Sequence, residues 1–223
     1  VEKSKKDLSK LDVIIGNEGR LEKVSDDFIA HYEARVEEGA TVAGKAMFVC
    51  ANRRIAYDFY LMLKRKRPQW FEIKEADKPP QEGEEKAEPI EMVKLVATRG
   101  SNDPPELFEL CGDSTYRSNL QTQFKKIESN FKIAIVVDMW LTGFDVPFLD
   151  AMYLDKPIQK HSLIQAISRV NRIYEGKEYG LIVDYLGIKK ELDLALNKYA
   201  KGHAGKGGYP DSSEFVKITK ETL

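Results

Sequence analysis

The sequence predicts an open, mostly parallel α/β sheet with helices on both faces. Three observations carry that expectation. The apolar runs KAMFVC (45–50), KIAIVVDM (132–139) and YGLIVDY (179–185) are continuous rather than alternating, the pattern of strands covered on both faces. Longer segments stand between the runs, with apolar residues three and four apart, the period of a helix packed along one side. The two kinds of segment alternate for most of the chain. Right-handed crossovers between parallel strands then distribute the helices over both faces.

The elements follow in order. Residues 25–38 (SDDFIAHYEARVEE) read as a helix capped by Ser25, with Asp26 and Asp27 in its first turn and Phe28, Tyr32 and Val36 on one side. Lys45 to Cys50 is a buried strand, and Asn52 to Lys66 a helix with Ile55, Phe59 and Met62 on one face, stopped by Pro68. Residues 72–89 (EIKEADKPPQEGEEKAEP) hold almost no core material and read as an exposed charged insertion or as a segment that docks a partner. The apolar pattern resumes in a strand at 90–98 and a helix at 114–129 carrying Leu120, Phe124 and Ile127. Next come an interior strand at 132–139, a short strand at 152–154, a helix at 162–173 and a strand at 179–185. A last helix is expected at 190–199, with Leu192, Leu196 and Tyr199 placed to pack, before a polar linker at 202–208.

Composition narrows the function classes. With 223 residues the chain can bury one sizeable core, and 35 basic against 36 acidic residues argues against a protein that coats nucleic acid nonspecifically. A local basic patch remains compatible with that balance. Cys50 and Cys111 make neither a disulfide framework nor a metal cluster, and three histidines leave little material for a zinc site. No apolar run approaches 18 residues, so no membrane partner is expected, and the charged start VEKSKKDLSKLDVII does not read as a signal peptide.

Chemistry concentrates between Thr142 and Arg172. Ligands of open α/β sheets lie beyond the carboxyl ends of the strands, which directs attention to the turn Thr142-Gly143-Phe144-Asp145 after the strand at 132–139. Gly143 permits a backbone direction that most residues resist. Asp145 can accept a sugar hydroxyl or orient a basic partner; equally, the turn can be an ordinary Gly-Asp turn whose acid caps the next segment. In the following helix Gln165, Arg169 and Arg172 are four and three residues apart and share a face, while Leu163, Ile167 and Val170 can face the sheet. Ser168 and Asn171 keep the surroundings of the arginines open. Two guanidiniums on one face suit phosphate oxygens, and would stabilise charge on a transferring phosphoryl group. They can also simply pair with Asp145, Asp150 or Asp184.

The sequence holds no G-x-x-x-x-G-K-[ST] phosphate loop. Gly39 to Lys45 approaches the spacing, but Ala46 supplies no hydroxyl, and the segment precedes a strand where a phosphate loop follows one. A carboxylate nuclease built on Asp138, Asp145 and Lys156 finds no support in their spacing. These residues suggest one half of a nucleotide site.

Together, AIVVDMWLTGFDVP (134–147) and LIQAISRVNR (163–172) resemble the second RecA-like motor domain of superfamily 2 helicases and translocases. More narrowly they resemble the restriction (R) subunit of type I restriction-modification enzymes, as do KAMFVCANRRIAYDFY (45–60), YLDKP (153–157) and GLIVDYLGI (180–188). Ser168 stands where many superfamily 2 proteins have glycine, which fits the type I branch. The resemblance implies a RecA-like P-loop NTPase fold lacking the P-loop itself. It implies that Gly143 and Asp145 contact the nucleotide, that Gln165, Arg169 and Arg172 form an arginine-finger helix, and that Asn52, Arg53, Arg54 and Thr142 lie on the DNA side.

ATP and Mg2+ would be the cofactors of the full-length protein, with Mg2+ held mainly by an upstream motor domain and no metal ligand in this chain. The implied partners are double-stranded DNA, that upstream domain, and methyltransferase and specificity subunits, in the cytoplasm of a bacterium or archaeon. On this reading residues 1–40 connect from the upstream domain, 41–200 form the motor domain, and 201–223 lead toward a C-terminal helical region. Another superfamily 2 helicase or remodeller, or a nonenzymatic α/β interaction module, are the competing readings.

Overall fold

The computed structural model describes residues 12–187, apart from 77, 81, 82, 84, 142, 159 and 178, together with residues 216–219. After a helical turn at 12–15, the elements are α1 (Glu18–Glu37), β1 (Lys45–Cys50), α2 (Arg53–Lys66), a 3-10 turn (Pro68–Phe71) and β2 (Val93–Val96). There follow α3 (Pro105–Cys111), α4 (Ser114–Phe124), β3 (Ile133–Val136), β4 (Leu149–Asp155), α5 (Lys160–Val170), β5 (Gly180–Asp184) and β6 (Val216–Thr219). The six strands form one sheet in the order β2-β3-β1-β4-β5-β6, and every neighbouring pair is parallel.

Strand periodicity sorts the core into two layers, because successive side chains point to opposite faces. Ala46, Phe48 and Cys50 of β1 pack with Phe28 of α1, Phe59 of α2 and Cys111 of α3, whereas Met47 and Val49 pack with Phe124 of α4 and Leu163 of α5. Helices therefore cover both faces, as the apolar runs predict. On the first face Phe48 stacks on Phe59 at 3.9 Å between ring centroids, and Phe28 meets Tyr153 edge-on at 4.7 Å.

Several boundaries differ from the sequence expectation, each for a local reason. Helix α1 starts at Glu18, capped by Asn17, whose side chain accepts from the Arg20 N–H. Ser25 is not its cap: it lies inside the helix, buried, with its hydroxyl donating to the Glu22 carbonyl at 2.7 Å. The apolar stripe continues upstream through Leu21 and Val24, while Val36 is exposed. Asp113 caps α4, which ends at Phe124, leaving Ile127 in the turn beyond it. Strand β2 is confined to Val93–Val96, and Ile90 instead makes an isolated antiparallel bridge with Lys74.

Strand β4 runs from Leu149 to Asp155 and is buried throughout, much longer than the expected 152–154. Its two acids disguise it in the sequence. Asp150 accepts backbone N–H groups from Val42, Ala43 and Lys45 at 2.8, 3.2 and 3.1 Å. Asp155 meets the Arg20 guanidinium at 2.5 and 3.1 Å. Neither α3 nor β6 was anticipated, and β6 falls within residues 201–223, the segment expected to lead toward a C-terminal helical region. The expected helix at 190–199 and the linker at 202–208 lie outside the described residues.

Candidate functional site

The expected turn and helix meet, but not where the sheet rule puts them. Residues 137–148 carry the chain from the carboxyl end of β3 to the amino end of β4, and Asp145 stands four residues before Leu149, near the end of that crossing. Helix α5 runs back across the sheet after β4, so its last turn also reaches the amino edge. A Cβ added to Gly180, the first residue of β5, would meet the Val170 carbonyl oxygen at 2.3 Å. The shared edge is thus the amino edge of β4 and β5. The expectation of a carboxyl-edge site fails because a parallel crossover must return its far end to the opposite edge.

Local packing fixes what is displayed. Trp140, Leu141, Phe144 and Val146 are buried, and Trp140 stacks on Phe144 at 4.4 Å, so the turn turns Asp145 outward between two anchors. Gly143 adopts φ 70°, the left-handed conformation for which glycine is suited, and Trp140 shares that region with φ 68°. On α5, Leu163, Ala166, Ile167 and Val170 are buried and Ser168 is exposed, as the helical spacing requires. Arg172 lies just past the helix end, with its Nε 3.3 Å from Asp145 Oδ1 and both side chains about half exposed. A pair so open to water contributes roughly 0–1 kcal/mol. Arg169 differs: its Nε is buried and has no hydrogen-bond partner among the described residues. Gln165 is partly exposed on the same helix, and its carbonyl accepts the Ser168 hydroxyl at 2.8 Å.

Of the three acids considered for the arginines, Asp145 is the one that pairs with Arg172. Asp150 is occupied by the three backbone N–H groups ahead of β1, which oppose the upward push of burial on its carboxyl. Asp184 Oδ1 accepts from the Leu186 N–H. Sequence reasoning missed Lys177, whose Nζ donates to the Val170 carbonyl at 2.5 Å and the Pro147 carbonyl at 2.9 Å. No signal marks it, since its partners are backbone atoms 7 and 30 residues away. Burial lowers its pKa to about 8, against the opposing pull of Asp150.

Of the residues expected on the DNA side, Asn52, Arg53 and Arg54 follow β1, at the opposite, carboxyl edge. The Asn52 side chain caps α2 by accepting from the Ile55 N–H at 3.0 Å. Arg53 is held by Asp103 at 3.1 Å and lies across Gly100, where an added Cβ would collide with it. Arg54 is 78% exposed and reaches Asp58 at 3.5 Å. Thr142 lies outside the described residues. Lys156 pairs with Asp138 at 2.7 Å, while Asp145 is turned to Arg172, so the three groups of the disfavoured nuclease arrangement are engaged separately. Among the described residues no cluster of histidine, cysteine or acidic side chains could hold a metal ion, and no helix is long and apolar enough to cross a membrane.

The class defined by this architecture is an open parallel α/β sheet flanked by helices, consistent with the RecA-like fold and related to superfamily 2 helicase and translocase domains. The comparisons give the family: residues 42–187 match type I restriction enzyme subunit R domain 3, and the chain belongs to that family. It is 36% identical over 208 residues to the type I restriction enzyme HindI endonuclease subunit of Haemophilus influenzae, covering 91% of this chain and 18% of that protein. A Methanocaldococcus jannaschii protein assigned as the endonuclease subunit of type I enzyme MjaIXP is 38% identical over 199 residues, covering 89% and 17%. This chain therefore spans less than a fifth of the length of either relative. A solved fragment assigned to the HsdR subunit of a type I restriction enzyme from Vibrio vulnificus YJ016 shares the fold. It has a TM-score of 0.51 and 18% identity, over 89% of this chain and 32% of that one.

Proposed function

We propose that this chain is the second RecA-like motor domain of an R subunit and contributes one half of an ATP site. Asp145 and Gly143 form the side toward the ribose; Gln165, Arg169 and Arg172 form the arginine side toward the phosphates, where they stabilise negative charge on the transferring group. An upstream motor domain supplies the phosphate loop and holds Mg2+. ATP turnover by the pair moves double-stranded DNA across the carboxyl edge, with Asn52, Arg53 and Arg54 on the track side; Thr142 is the further DNA-contacting residue. In the full-length, cytoplasmic protein this translocation is coupled to endonucleolytic cleavage, in complex with methyltransferase and specificity subunits.

The observation that carries the reading is the convergence of the turn and the arginine helix at one sheet edge, with Arg172 3.3 Å from Asp145 and the neighbouring Arg169 Nε buried without a hydrogen-bond partner among the described residues. The Arg172–Asp145 pair by itself equally suits a nonenzymatic, salt-bridged surface. The Arg169 Nε does not, since a buried donor without an acceptor is costly unless something outside the described residues meets it. In the full-length subunit, Arg169→Ala is expected to lower the DNA-stimulated ATPase kcat by roughly 100-fold or more, in the range of other arginine fingers. Its melting temperature should stay within a few degrees of the parent. Equal loss of folding and activity would favour the structural surface.

A further inference from the structure

Lys177 lies outside the residues assigned to nucleotide, yet it touches both segments that carry them. The tight turn Tyr174 to Lys177 is closed by an antiparallel bridge, with Gly176 at φ 78°, and the Tyr174 ring packs edge-on against Phe148 at 5.5 Å. That turn returns Lys177 beneath the end of α5. Its ammonium donates to the Val170 carbonyl, among the terminal helix carbonyls that lack an intrahelical partner, and to the Pro147 carbonyl, two residues past Asp145. A cation is well matched to a helix C-terminus, and the half-buried setting shields both bonds from competing water. Asp150 is the charged group acting on the ammonium, but it makes its hydrogen bonds to the backbone ahead of β1. Lys177 is therefore left as a two-carbonyl strap between the turn and the helix.

We propose that Lys177 is a positioning residue of the nucleotide site: it ties the last turn of the arginine helix to the turn bearing Asp145, and so fixes where Arg172 stands relative to Asp145. The inference rests on the ATP-site reading above. It adds a residue that need never touch nucleotide. A guanidinium displaced by an ångström loses most of its effect on a transition state, with a cost of up to about 100-fold.

The test is the DNA-stimulated ATPase of the full-length subunit carrying Lys177→Met, which keeps the apolar stem and removes the donor. The kcat is expected to fall about tenfold or more, with KM for ATP changed less than about threefold. In an Arg172→Ala background the same substitution should cost less than about twofold, because the group it positions is already gone. Should Lys177→Met fail to fold, Lys177→Gln, which keeps a neutral donor, enters the same two-background comparison. An unchanged kcat, or an equal loss in both backgrounds, overturns the positioning role. Near-parental activity of Arg172→Ala alone overturns the ATP-site reading instead, and is read from the same set of proteins.

Discussion

Arg20→Met isolates the most demanding interaction in the fold. Arg20 leaves the first turn of α1 and places both guanidinium nitrogens on Asp155, at 2.5 and 3.1 Å, with further bonds to the Ile15 and Tyr185 carbonyls at 3.2 Å. The arginine side chain is 11% exposed and the carboxylate 0%. Methionine fills much of the same volume but leaves Asp155 buried at the carboxyl end of β4 with no cation. Breaking such a pair from one side costs about 3–5 kcal/mol. For a chain of this size that corresponds to a fall in melting temperature of roughly 6–20 °C.

The pH dependence has a definite sign. Burial raises the Asp155 pKa and Arg20 lowers it, so removing Arg20 raises it further. A carboxyl whose folded pKa lies above its unfolded value favours folding below the unfolded value and loses that stability as pH rises through the folded one. The deficit of Arg20→Met should therefore be large at neutral pH and shrink as the solution is acidified. Thermal unfolding followed by circular dichroism between pH 4 and pH 8, for parent and variant, measures both. A deficit below about 2 °C at neutral pH, or one that grows on acidification, would refute the reasoning.

Two further substitutions separate packing from surface chemistry. Gly180→Ala should destabilise by roughly 1–3 kcal/mol in thermal unfolding, because its Cβ meets the Val170 carbonyl oxygen at 2.3 Å and must push the end of α5 away. Asn52→Ala removes the α2 cap and should cost about 0.5–2 kcal/mol. Arg54→Ala, 78% exposed, should leave stability within about 0.5 kcal/mol. On the proposed DNA track it should nevertheless weaken duplex binding by the full-length subunit in a fluorescence anisotropy titration.

The alternation of apolar runs and helical stripes made the sheet legible; β1 has the predicted bounds, and α2 ends where predicted but starts one residue later, with Asn52 as its cap, because a continuous apolar run and a terminating proline are local signals. The misplaced elements depend on distant partners. Asp150 and Asp155 look like strand breakers until Val42, Ala43, Lys45 and Arg20 arrive from over a hundred residues away. Helix α1 hid its first turn because Asn17 precedes a charged stretch, and only packing shows that Leu21 and Val24 continue its buried side. The pairing of Arg172 with Asp145 was one of three alternatives in the sequence, and strand order was needed to put the two at the amino edge. Lys177 was invisible, since backbone carbonyls carry no side-chain signature.

The proposed half-site is tested most directly by assaying ATP hydrolysis on the 223-residue chain alone and on the same chain joined to the proposed upstream motor domain, each with and without Arg172→Ala. Negligible hydrolysis is expected from the chain alone, and robust hydrolysis from the joined protein, lowered by Arg172→Ala roughly 100-fold or more to a measurable residue. Robust hydrolysis by the isolated chain, abolished by Arg172→Ala, would contradict the half-site.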